Sequence, residues 1–305
     1  MIEHRGAGYP PGGRATVGVV NPWLDRKVLD YAHQGGAREA PSSTLLAMRQ
    51  AVAAGADALE LDVHVTADRQ LVVCHDATVD RTTNATGKIA SMTLAELQAL
   101  DNAYWWVPGE VVATDRADAE YVYRGRAPVD PSLRIASLRE VLEEFPAIFL
   151  NLDIKQTAPV VEPYEADLAG LLREYGRSDD VIVASFLDGA TEAFSKCAPE
   201  FHTSFGILAT AAFWRAVHTR EDPPATRHVA LQVPVEHLGI RLVDERFVDT
   251  AHQLGIAVHV WTIDEVDQMD WLIGLGVDGI MTDRPTVLEE VLDKRGEDYR
   301  PRLGF

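Results

Sequence analysis

The chain has 305 residues, 47% of them hydrophobic, and its 47 Asp and Glu against 28 Lys and Arg leave a formal charge of −19. That field argues against a nucleic-acid surface, which needs clustered Lys and Arg, and an anionic small substrate would need a local cation. Two cysteines, Cys74 and Cys197, are too few for a disulfide framework and read as reduced structural thiols. No apolar stretch approaches a signal-peptide core or a membrane span, so the expected location is cytoplasmic, with no integral membrane segment.

Residues 1–27, rich in Gly and Pro at their start, read as an N-terminal arm. From Val28 onward, short apolar runs alternate with amphipathic ones. The strand candidates are Val28 to Ala32, Ala58 to Val63, Ile148 to Asp153, Val181 to Ser185, Thr203 to Gly206, Val229 to Val233, Ala257 to Thr262 and Gly279 to Thr282. Helical segments fall between them at Ser43 to Ala54, Pro163 to Tyr175, Leu187 to Cys197, Val243 to Leu254, Val266 to Leu275 and Thr286 to Leu292. Eight strands separated by helices predict an α/β fold, a closed parallel TIM (β/α)8 barrel, occupying residues 28–296 as one domain. A doubly wound sheet fits less well, because no Gly-x-Gly-x-x-Gly turn joins a strand to a helix.

One interval, 77–134, breaks the rhythm after the second strand and reads as a functional loop or cap. Its Tyr104, Trp105 and Trp106 are expected to anchor that segment on a small core of its own rather than to wall a pocket. The polar residues 297–305 read as a surface tail.

A parallel barrel builds its active site where strands end, so chemistry is sought there. In the second strand, Glu60 and Asp62 are two residues apart and share a face. Two like charges on an apolar strand are costly unless a cation or a catalytic task compensates them, which makes the pair half of a hard-metal site. Asp153 and Lys155 repeat the spacing on the next long strand and add a third carboxylate and a cation. The first strand ends at His33-Gln34-Gly35-Gly36, and a hairpin-like extension from Gln70 to Cys74 delivers His75-Asp76. Ser185, Gln232, Trp261 and Asp283 end further strands. His64, on the same face as Asp62, reads as structural.

Four motifs in this order carry a specific resemblance. They are the His33-Gln34-Gly35 strand end followed by Pro41-Ser42-Ser43-Thr44, then Glu60-Leu61-Asp62, then His75-Asp76 with Thr78, Asp80, Arg81 and Thr83, and last Gly276 to Pro285. With Leu152-Asp153-Ile154-Lys155 and Val260-Trp261-Thr262 they span nearly the whole barrel. The chain resembles the glycerophosphodiester phosphodiesterase family, metal-dependent barrels that cleave phosphodiesters of alcohols such as glycerophosphocholine.

The resemblance implies a small-molecule phosphodiester substrate, metal ligation by Glu60, Asp62 and Asp153, and acid–base catalysis by His33 and His75. It implies one divalent cation, and oxygen-only ligands select Mg²⁺ or Ca²⁺ over zinc. Gln34, Lys155 and Trp261 fall at substrate- or phosphate-binding positions. Hydrolysis to an alcohol and glycerol 3-phosphate is the expected reaction. The alternatives are a sphingomyelinase D-like or lysophospholipase D-like enzyme acting on lipid headgroups, or a catalytically silent barrel that binds phosphate ligands. Three departures from the family pattern stand out. Gln34 replaces a frequent Arg, Ser42 replaces a Glu for which Glu39 could substitute, and Asp153 replaces a frequent Glu. His4-Arg5-Gly6 spells the family's usual first motif, but it follows no apolar strand and is set aside as a decoy.

Overall fold

A computed structural model describes residues 21–24 and 27–299; the decoy at His4 lies outside the described residues. In chain order the strands are β1 (Leu29–His33), β2 (Ala58–Val65), β3 (Leu71–Val73), β4 (Phe149–Ile154), β5 (Val181–Ala184), β6 (His202–Thr203), β7 (Ala230–Pro234), β8 (Glu236–His237), β9 (Ile240–Arg241), β10 (Ala257–Trp261) and β11 (Gly279–Thr282). Parallel pairing runs in the order β6-β5-β4-β2-β1-β11-β10-β7, and a parallel bridge between Ser204 and Ala230 joins the two ends. The result is an eight-stranded parallel barrel, as the alternation of apolar and amphipathic runs predicts. The helices are α1 (Leu45–Ala54), α2 (Leu94–Gln98), α3 (Leu138–Glu144), α4 (Glu165–Glu174), α5 (Asp188–Cys197), α6 (Ile207–Thr219), α7 (Glu245–Gln253), α8 (Val266–Leu275) and α9 (Pro285–Arg295). No helix of the described residues is long and apolar enough to cross a membrane.

Local chemistry sets the ends of these elements. The Thr44 hydroxyl caps α1 by accepting from the amide of Ala47, and Gly55 ends that helix at φ 116°. A side chain at Gly55 would be strained by that φ and would meet Glu289 Oε2 at 2.6 Å. Two helices differ from the sequence reading. α3 begins with a Ser137–Glu140 capping box directly after the irregular interval. The longer α6 has no side-chain cap and starts on an almost wholly apolar run, so it lacks both a start signal and a polar stripe.

Period-two alternation divides each strand between two layers. Leu59, Leu61, Leu150, Leu152, Val181 and Val183 face outward in the larger core shared with α1, α4 and α5. Leu29, Tyr31, Ala58, Phe149, Ile182, Ala257 and Met281 fill the barrel interior. Gly279 is required there, because a Cβ would lie 2.8 Å from the Tyr31 ring and 3.0 Å from that of His259. His259 is fully buried, and burial alone lowers its pKa to about 3, so it is a neutral packing group.

Residues 21–24 do not behave as an arm. Trp23 is 0% exposed, packs edge-on against Phe149 and His259, and donates from Nε1 to His202 Nδ1 at 3.0 Å. Asn21 Nδ2 donates to the carbonyls of Val229 and Gly255 at 2.7 and 2.8 Å, tethering the segment to the barrel. Emptying so large a buried site costs about 3–5 kcal/mol. Trp23→Ala should therefore lower the urea-unfolding free energy by roughly that amount; a loss below about 1 kcal/mol would show that Trp23 is not part of the barrel core.

The irregular interval is fastened by its own aromatic groups. Trp106 is buried and donates from Nε1 to the Ala37 carbonyl at 2.9 Å. Trp105 packs edge-on against Tyr104 and Tyr121, and the Arg124 guanidinium lies 3.4 Å over the Tyr121 ring. These contacts match the anchoring role expected of the three aromatic residues.

Candidate active site

Strand register assembles the site at the C-terminal end of the barrel. β1 pairs with β2 so that His33 lies level with Glu60, and β2 pairs with β4 so that Asp62 lies level with Asp153. Neighbouring strands are only about 4.8 Å apart, so two registers gather three acids and an imidazole on one inward patch. Just beyond β4, Lys155 Nζ donates to Asp62 Oδ1 at 2.9 Å and pairs with Asp153 Oδ2 at 3.4 Å. β3 folds back antiparallel on β2, with the amide of Cys74 donating to the Asp62 carbonyl at 3.0 Å, and this return delivers His75. His33, Glu60, Asp62, His75, Asp153, Lys155 and Trp261 all line one cavity of about 190 Å³.

Gln34 does not line that cavity. It sits at φ 51°, buried, with its amide donating to the Glu60 carbonyl at 3.0 Å and to Glu60 Oε2 at 3.2 Å. Its Nε2 is 3.4 Å from His33 Nε2. The residue thus turns the chain and holds Glu60. Glu39 is bound elsewhere, accepting from the amide and hydroxyl of Thr286 at 3.3 and 2.7 Å, where it ties the loop after β1 to α9. His64 is buried, with Nε2 3.4 Å from the His75 carbonyl oxygen, and supports the return loop as a structural group.

Each cavity imidazole is paired with its own carboxylate. His33 Nδ1 lies 2.6 Å from Asp283 Oδ1, and His75 Nδ1 lies 2.6 Å from Asp76 Oδ1. Arg81 Nε donates to Asp76 Oδ2 at 2.7 Å. The hydrogen bond from His75, aided by Arg81, outweighs burial and holds Asp76 below the usual carboxylate range. In both pairs Nδ1 is the nitrogen held by the carboxylate, and His33 Nε2 lies 3.8 Å from Glu60 Oε2. Asp283 was legible as a strand end and Asp76 as part of a motif, but their pairing with the two histidines required the fold. Phe186 and Phe205, which also line the cavity, carried no sequence signal beyond their hydrophobicity.

The acids carry a charge deficit. Burial first, then Asp62, pushes Glu60 up to about 8 against the opposing influence of His33. Burial likewise raises Asp153 to about 6, although Lys155 opposes it. Burial disfavours the charge on His33, but Glu60 and Asp283 outweigh it and lift the pKa to about 9. Lys155 is raised for the same reason, Asp62 and Asp153 overcoming the cost of its burial.

Asp62 Oδ2 and Asp153 Oδ1 are buried with no hydrogen-bond partner. Buried oxygens without partners are costly. Such acceptor oxygens, in an all-oxygen set short of positive charge, fit a hard divalent cation. Among the described residues, however, no three His, Cys, Asp or Glu side chains already stand arranged to hold a metal ion. The Lys155 ammonium bridges two of the acids instead.

Residues 33–287 match the model of the glycerophosphoryl diester phosphodiesterase family. The chain is 32% identical over 272 residues to a glycerophosphodiester phosphodiesterase of Caldanaerobacter subterraneus, covering 88% of this chain and 100% of that one. It is 25% identical over 290 residues to a lysophospholipase D of Rattus norvegicus, covering 86% and 85% of the two chains. Two solved structures share the fold. A glycerophosphoryl diester phosphodiesterase domain from Mycobacterium tuberculosis has a TM-score of 0.71 at 22% identity, covering 87% of this chain and 98% of that one. A phosphodiesterase from Oleispira antarctica, in complex with the product sn-glycerol-3-phosphate, has a TM-score of 0.65 at 21% identity, covering 88% and 97%. The family match spans the strand end at His33, the three acids, the return loop and Asp283 just beyond the last strand, and the chain belongs to the glycerophosphoryl diester phosphodiesterase family.

Proposed function

We propose that this protein hydrolyses glycerophosphodiesters to an alcohol and glycerol 3-phosphate, using His33 and His75 as acid–base groups and one divalent ion, Mg²⁺ or Ca²⁺, on Glu60, Asp62 and Asp153. The observation that carries the reading is that two Asp-oriented imidazoles share one cavity with three carboxylates and an ammonium. Its support beyond geometry is the family match and the activity in the name of the Caldanaerobacter relative.

In net hydrolysis the P–O bond to the alcohol breaks, oxygen from water ends on phosphorus, and a proton ends on the departing alkoxide. One imidazole removes a proton from the attacking hydroxyl as the other supplies one to the leaving oxygen. Asp283 and Asp76 hold the two rings through Nδ1. Lys155 places a positive charge where the phosphoryl oxygens gather negative charge, and Gln232 and Trp261 shape the cavity that receives the substrate. A bound divalent ion would supply further positive charge to those oxygens and relieve the repulsion among its carboxylates.

The test is turnover of glycerophosphocholine and glycerophosphoglycerol by purified protein with Mg²⁺, Ca²⁺ or EDTA. Release of free alcohol with an ion and its loss with EDTA are the expected results. No turnover of either diester with either ion would overturn the proposal.

A further inference from the structure

Asp283, the partner of His33, stands just past the point where β11 loses its ladders. The last pair of β11 with β1 is Ala32 and Thr282, and its last with β10 is Val260 and Ile280. Asp283 is buried, so its backbone groups need other partners. Its carbonyl accepts from the amide of Arg38, in the turn after β1, at 3.1 Å. Its amide donates to a side chain, Asp264 Oδ1, at 2.9 Å. The hydroxyl of Thr282 donates to the same oxygen at 3.1 Å and accepts from the amide of Arg284 at 3.0 Å.

Asp264 is itself fixed on several sides. It lies between β10 and α8, and just before it the amide of Ile263 donates to the Met281 carbonyl at 3.0 Å, which carries the contact with β11 past the end of the β10 ladder. Arg284 Nη1 donates to the Asp264 carbonyl at 3.1 Å, and Arg38 Nε lies 3.3 Å from Asp264 Oδ2. The carboxylate is mostly enclosed, yet it does not line the catalytic cavity. Its one connection to the chemistry thus runs through the backbone of Asp283 and from that side chain to His33 Nδ1.

From this chain of contacts we infer that Asp264 is a positioning residue for the reaction. By holding the Asp283 backbone it sets the direction from which the Asp283 carboxylate grips His33, and so where the imidazole stands in the cavity. This role rests on the proposed catalytic use of His33. A displacement of about 1 Å in a reacting group costs on the order of 100-fold in rate. The His33–Asp283 contact, at 2.6 Å, transmits any shift of the Asp283 backbone directly to the ring. An acid that only tied two loops together would show its removal in stability and leave the kcat of the folded enzyme unchanged.

Two substitutions test it. Asp264→Leu is nearly isosteric but offers no acceptor and no room for a replacement water, whereas Asp264→Asn keeps an oxygen in place and loses only the charge toward Arg38. Alcohol release is measured with Mg²⁺ or Ca²⁺ on whichever of glycerophosphocholine and glycerophosphoglycerol the wild type turns over faster, well below the lowest thermal midpoint so that every variant is folded. Asp264→Leu should lower kcat at least about tenfold with KM within about threefold, and Asp264→Asn should keep kcat within about threefold of wild type. In an Asp283→Ala background, where the route to His33 is already cut, Asp264→Leu should cost less than about twofold more. A folded Asp264→Leu enzyme with near wild-type kcat would overturn the positioning role while leaving the phosphodiesterase reading intact. So would an Asp264→Asn enzyme as slow as Asp264→Leu, or losses that multiply in the double variant; if the double variant does not fold, the comparison of Leu with Asn decides. No turnover of either diester by the wild type would overturn the activity and the positioning role with it.

Discussion

Replacing His75 by Ala should lower kcat on glycerophosphocholine by roughly a thousandfold while leaving the thermal midpoint within a few degrees of wild type. A positioned imidazole contributes about 10²–10⁴ to a proton-transfer step. The stability side follows from placement: the His75 side chain is 40% exposed and its one strong partner, Asp76, keeps Arg81 when the ring is removed. His33→Ala should cause a comparable loss of turnover but also destabilise the fold. There the ring is mostly enclosed and lies 2.6 Å from Asp283, a buried carboxylate that would lose its partner, at a cost of roughly 3–5 kcal/mol. Steady-state kinetics and thermal unfolding on both variants separate the two cases. A His75→Ala enzyme with near wild-type kcat would remove that residue from the chemistry, and an unshifted midpoint in His33→Ala would show that its pair with Asp283 does not support the fold.

The barrel was legible because a parallel strand buried on both sides reads as a continuous apolar run. β2 is buried at every position from Ala58 to Val65, so Glu60 and Asp62 stood out as charges that such a strand should not carry. The return through His75 was legible for a similar reason, since Leu71 to Val73 is a short apolar run directly beyond a turn. What escaped the sequence depends on contacts between distant residues. The pairing of His33 with Asp283 spans 250 positions and exists only because β1 and β11 close the barrel side by side. Trp23 lies outside any apolar run, yet it fills the barrel interior. α6 hides because Ile207 to Phe213 has no polar face and no capping side chain. By its type Gln34 reads as a neutral replacement for a phosphate-binding arginine. The backbone instead uses it to hold Glu60.

Neutralising one acid of the cluster should stabilise the metal-free protein and destroy its activity. Glu60, buried and beside Asp62, is held up to about 8, far above a carboxyl in the unfolded chain. Between those two pKa values the folded protein holds the proton and the unfolded chain does not, so stability falls as pH rises from about 4.5 to 8. Asp153, raised to about 6, adds a fall over a lower and narrower range. The metal-free wild-type protein should therefore melt at a lower temperature at pH 8 than at pH 5.5. In Glu60→Gln that decline should be shallower, with a gain at pH 8 on the order of 3 kcal/mol. Mg²⁺ or Ca²⁺ should raise the wild-type midpoint most at the alkaline end, where the acids are ionised, and should raise that of Glu60→Gln far less. The same variant should lose at least about a hundredfold in kcat, because it lacks one of the oxygens that would hold the ion. Thermal unfolding at both pH values, with EDTA or with the ion, decides the matter. A wild-type midpoint that rises from pH 5.5 to 8 without metal would show that these carboxylates are not held protonated by the fold. A Glu60→Gln protein that kept both its turnover and its response to the ion would take Glu60 out of the metal site.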